Sequence, residues 1–160
     1  MVGTYGGAMS EFKDFKEMEA GRIQPLLGAI SALPGAALVL GKDASAGAPL
    51  LIVALAFAAA AYVFWVCSDS VFAQHYDYDC AGQRTEAEKT ANGGRDLSWA
   101  TFGYGSASLL CTALAFAAIH STLRTPLSVE AGFVVAMVTI FGTIYHCVHA
   151  IKKRDALTRD

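Results

Sequence analysis

Two short clusters hold three of the four histidines and two of the four cysteines in this 160-residue chain. In His146-Cys147-Val148-His149 the two imidazoles are three residues apart, so on a helix they share a face, as a paired metal ligand requires. The second cluster, His75-Tyr76-Asp77-Tyr78-Asp79-Cys80, adds nitrogen, oxygen and sulfur donors. Together His75, Asp77, Cys80, His146 and His149 are the candidate ligands for zinc or another divalent ion. Their spacings match no strong zinc pattern, and interfacial histidines commonly bond headgroups or backbone carbonyls, so no metal site is assigned. A bis-histidine haem needs two imidazoles at similar depth on facing helices. His146 has the depth, but His120 closes its apolar stretch at the far end and His75 would have to dip in from outside. No cofactor is therefore predicted. Bound phospholipid is compatible with this composition.

Glu130 is the remaining chemical candidate, the one carboxylate inside an apolar stretch. An intramembrane acid is costly and is often a proton relay or cation site. Glu130 lies one turn inside its stretch, within reach of water or Arg124, so a structural role is the simpler expectation. No nucleophile–base pair or phosphate loop is present. Gly103-Tyr104-Gly105 neither follows a strand nor continues into a dinucleotide fingerprint.

The elements that position these residues are four apolar stretches, about 23–40, 49–67, 99–119 and 127–151, each near the ~20 residues that cross hydrocarbon as a helix. Composition agrees: 54% of the chain is hydrophobic and only 16% charged, against roughly 25% charged for a soluble domain. The expected fold is all-α, an integral membrane protein of four transmembrane helices with a short amphipathic N-terminal helix. Its organisation is an N-terminal tail (1–22), a four-helix membrane domain (23–151) and a basic tail (152–160). Within the first region, Ser10 is a suitable N-cap, and Phe12, Phe15 and Met18 recur at helical spacing, which suits a helix lying at the interface. The first stretch is the weakest, with Pro34-Gly35 near its middle predicting a kink. Between the second and third stretches lies a loop, 68–98. There Thr85 to Glu88 has capping-box spacing for a short helix to about Ala91, Asn92-Gly93-Gly94 ends it, and Asp96 caps the third span.

Four crossings place ten of the twelve Lys and Arg residues on one side and leave only Lys42 and Arg124 on the other. Both termini are then expected on the positive side, cytoplasmic or matrix. The first twenty residues have no basic-then-apolar signal pattern and carry Glu11, Asp14, Glu17 and Glu19, so the expectation is that any organellar targeting is internal or that this start is already the mature one. Aromatics Tyr62, Phe64, Trp65, Trp99, Phe102, Tyr104 and Tyr145 gather toward the positive end as half of an interfacial belt. The four thiols are expected to be free.

Small residues recur every four positions: Gly28, Ala32 and Ala36; Gly103, Ala107, Cys111 and Ala115; Gly132 and Ala136. Such faces allow helix backbones to approach closely where lipid offers no hydrophobic drive. No segment outside the stretches reaches the ~40 residues that fold alone, and no basic stripe suits nucleic acid. The function expected is therefore a non-catalytic accessory or structural subunit of a larger membrane complex. Respiratory and photosynthetic membranes contain many such subunits, and a respiratory-chain complex of a mitochondrial inner membrane is the expected setting. Its partners are membrane lipids and other membrane subunits. Two other readings stand beside it: a small oligomeric transporter or channel using Glu130, and a metal- or haem-binding redox subunit using His75, His146 and His149.

Overall fold

The computed structural model describes residues 17, 21–36, 44–120 and 127–157. Nearly all of them are helical: α1 (21–36), α2 (Ala44–Cys80), α3 (Arg84–His120) and α4 (Val129–Leu157). Helices α2, α3 and α4 are each long and apolar enough to cross a membrane, over Ser45–Val71, Thr85–Ile119 and Val129–His149. Residue 17 is helical, but the rest of the expected interfacial helix lies outside the described residues.

At 37 residues each, α2 and α3 run about 55 Å at 1.5 Å per residue, well beyond a hydrocarbon core of about 30 Å. The excess is the region read from sequence as a loop with a short helix. That expectation fails: α2 continues to Cys80, a tight turn follows, and α3 runs unbroken from Arg84 through Asn92, Gly93 and Gly94. The turn ends α2 by a Schellman arrangement. Gly82 adopts φ +76°, which a side chain would resist, and Gln83 N–H donates to Tyr78 C=O at 3.0 Å. Gln83 C=O then accepts from Ala87 N–H at 3.0 Å, so Gln83 is the N-cap of α3. Thr85 lies inside the helix instead of capping it, and Asp96 lies mid-helix. Gly93 and Gly94 each cost about 1 kcal/mol of helix propensity. Here packing offsets that cost: Gly94 is buried and its carbonyl accepts from Ser68 Oγ at 3.0 Å.

A seven-residue repeat of small side chains joins the two long helices. Along α2, Gly47, Ala54, Ala61 and Ser68 are buried and His75 follows seven residues on. Along α3, Ala87, Gly94, Thr101, Ser108 and Ala115 are all buried. The helices are antiparallel and the repeats meet in register. His75 bonds Ala87, Ser68 bonds Gly94, Ser108 Oγ donates to Ala54 C=O at 2.8 Å, and Gly47 lies against Ala115. A sustained period of 3.5 residues per turn is the signature of a left-handed coiled pair. Small side chains let its axes close up, so backbone carbonyls come within reach of hydroxyls.

The other two helices dock on this pair. From α1, Ile23, Leu27 and Ile30 pack on Ala61, with Ala58, Trp65, Tyr104 and Leu109 around them. Pro34 continues the same stripe and is fully buried. Leu26 fills the space left by Gly105, where an added Cβ would stand 2.7 Å from Leu26 Cδ2. Helix α4 meets a second face of α2 through one narrow stripe, Gly132, Ala136, Thr143 and Cys147. A Cβ on Gly132 would lie 2.9 Å from Pro49 O, backbone that has little freedom to move. The helix continues through Lys152, Lys153 and Arg154 to Leu157, so part of the expected basic tail is helical.

Gly132→Val should therefore force α4 off α2, at a cost of about 1–3 kcal/mol by overpacking. Gly103→Val should stay within about 0.5 kcal/mol, because nothing lies within 4 Å of its added Cβ. Reversible denaturation of both variants in micelles measures the difference, and equal costs would refute this packing scheme.

Candidate functional site

The chemistry-bearing side chains concentrate at the end of the bundle where α2 turns into α3. A buried cluster of Ala60, Phe64, Leu97 and Cys147 brings together the later part of α2, the early part of α3 and the end of α4. Cys67, Val71, Ala100 and Tyr104 pack around it. The Tyr104 ring stacks on Phe64 at 5.3 Å between centroids.

His75 occupies the last layer of the seam. Its Nδ1 lies 2.7 Å from the Ala87 carbonyl, which fixes the proton on Nδ1 and ties the two helices together just before the turn. One ring nitrogen is thus engaged in holding the hairpin. The side chains of Asp77 and Cys80 lie outside the described residues. At the end of α4 the two histidines have separate neighbours. His146 meets the edge of Phe64 at 6.4 Å, while His149 stacks on Tyr145 at 6.1 Å with 11° between planes. Among the described residues, no three His, Cys, Asp or Glu side chains gather as a ligand set.

Glu130 stands at the opposite end, exposed in the first turn of α4. Ser128 caps this helix: its Oγ accepts from Ala131 N–H at 3.2 Å, and its C=O accepts from Gly132 N–H at 2.9 Å. An acid in the first turn complements the positive end of the helix dipole. Arg124, its expected partner, lies outside the described residues.

Several other hydroxyls in the spans serve the helices themselves. Ser68 Oγ is 2.7 Å from Ser98 Oγ as well as bonded to Gly94. Thr101, Thr112, Thr139 and Thr143 each donate to the carbonyl four residues back. In hydrocarbon an unbonded hydroxyl would cost several kcal/mol, so each is paired.

The small residues named from sequence are distributed unevenly. Ala115, Gly132 and Ala136 are buried between helices, and Ala107 and Cys111 are half-buried. Gly28, Ala32, Ala36 and Gly103 are exposed on the outer surface of the chain. Sequence reading by fours missed the glycines that admit neighbours, Gly47 and Gly105; the seven-residue spacing would have found Gly47, whereas Gly105 is set by Leu26 of α1. It also missed that Cys67 and Cys147 meet. Among the described cysteines, Cys67, Cys111 and Cys147 are free thiols, and Cys67 packs against the buried cluster that holds Cys147.

His75→Phe should loosen the hairpin end by about 0.5–1.5 kcal/mol, the net value of one intramolecular hydrogen bond. Amide exchange should accelerate near the turn, over residues 78–90, and stay unchanged over 101–115. Unaltered exchange at the turn would show that the imidazole does not hold it. Comparison of the whole chain with known protein families, with curated proteins and with solved structures finds no match in any of the three.

Proposed function

We propose that this chain is a non-catalytic subunit that packs within a larger membrane assembly. The observation that carries the reading is the division of its surfaces. Its buried hydroxyls and buried small side chains lie mostly in the α2–α3 seam and the α4 stripe, whereas the outward face of α4 is largely apolar. Along α4, Phe133, Val134, Met137, Val138, Phe141 and Ile144 are all exposed. Lipid suits much of that surface. Gly28, Gly103 and Gly142 also face outward with nothing within 4 Å of an added Cβ, and a neighbouring helix could approach closely there.

In this reading α1 extends into a fourth crossing, and the hairpin end of the bundle faces the side holding ten of the twelve bases. Trp99 and Tyr145, the most exposed of the large side chains there, sit at the headgroup level. The hairpin beyond them stands in water, where other subunits dock. A respiratory complex of the mitochondrial inner membrane is a setting rich in subunits of this kind.

Mild detergent extraction followed by native mass spectrometry should find the chain with other membrane subunits. Gly103→Leu should then lower the yield of assembled complex without changing the stability of the isolated chain. Glu130→Gln should leave the stability of the chain, its assembly and activity intact, as an exposed substitution does. The opposite ranking, activity lost in Glu130→Gln with assembly normal and no effect of Gly103→Leu, makes Glu130 the site and the chain a transporter.

A further inference from the structure

We propose that Cys67 and Cys147 form a redox-closable latch, in which two-electron oxidation by a membrane-soluble hydroperoxide joins α2 covalently to α4. The proposal stands on the meeting of the two thiols and is independent of the accessory-subunit reading.

Three features carry it. The cysteines come from different helices and meet in one apolar cluster with Phe64, Leu97, Ala60 and Val71. Cys111, by contrast, is not in this cluster. The attachment that the latch would reinforce is narrow: α4 touches α2 along a single stripe, with a backbone contact at Gly132 and Pro49 near its start. Cys147 lies fifteen residues farther on, about 22 Å along the helix, where a covalent tie would fix the other end.

The surroundings select the oxidant. Both sulfurs lie inside the spans Ser45–Val71 and Val129–His149, four and two residues from their ends. Apolar walls keep out charged, water-borne oxidants. A lipid hydroperoxide partitions into the same layer. As one sulfur attacks the terminal peroxide oxygen, its S–H proton passes to the departing alkoxide oxygen. The O–O bond breaks to give a sulfenic acid and an alcohol. The second thiol then displaces water, forming the S–S bond. In sum, one hydroperoxide and two thiols yield one alcohol, one water and one disulfide. Reactants and product are all uncharged, so closure buries no new charge.

The test uses the full chain in bilayers, wild type and C80S/C111S, treated with cumene hydroperoxide, with copper–phenanthroline as a positive control for proximity. Intact-mass and peptide analysis after alkylation reads the product. The expected result is loss of two hydrogens from the monomer, a single bridged peptide pair containing Cys67 and Cys147, and no bridge in C67S or C147S. The oxidised C80S/C111S protein should also melt several degrees above its reduced form. Because that variant leaves the pair untouched, misfolding of a single serine mutant cannot obscure the answer. The proposal is overturned by bridging with copper–phenanthroline alone, by bridges only between chains, by sulfinic acid without a bridge, or by an unchanged melting temperature.

Discussion

The close approach of α2 and α3 is the constraint on which the other arrangements depend. In lipid, apolar side chains gain little by leaving their surroundings, so helices associate through van der Waals contact and hydrogen bonds at short range. Both require small residues at the contact. A repeat of Gly, Ala, Ser and Thr every seven residues provides them over five layers, with Ser68, His75 and Ser108 reaching across to carbonyls of α3 and α2. The same repeat explains how Gly93 and Gly94 remain helical. Positions that weaken an isolated helix become places where its neighbour fits.

With the pair fixed, α1 and α4 have defined seats. Ala58 and Ala61 leave a trough into which Ile23, Leu27 and Ile30 settle, and Gly105 leaves room for Leu26. The second face of α2, with Pro49, Val53, Ala56, Ala60 and Phe64 buried along it, accepts the stripe of α4. Helix α2 is therefore the centre of the bundle. The difference between its broad seam with α3 and its narrow contact with α4 makes α4 the most separable of the three spanning helices.

Polar chemistry follows the same geometry. Histidines, a glutamate and hydroxyls that could suggest a reaction centre when read singly are found as a hairpin clasp, ring contacts, a helix-terminal acid and intrahelical bonds. The clasp and the intrahelical bonds satisfy polar groups where water is scarce. What the fold does assemble across helices is the pair of thiols, from residues eighty positions apart.

The sequence by itself determined the helical class and the long apolar segments, because twenty successive residues without charge have few other options. It also determined that small residues matter. It did not reveal which spacing of them counted: every face with a small residue each four positions looks alike in isolation, and only the partner helix selects one. Gly103 and Gly105 are two residues apart, yet one faces outward and the other admits Leu26. The hairpin was misread for a related reason. Asn92-Gly93-Gly94 is a local stop signal, and the packing that overrides it comes from Ser68, in another helix. Local propensity is encoded along the chain, whereas register, turn position and the meeting of Cys67 with Cys147 depend on contacts between distant segments, which the tertiary structure alone decided.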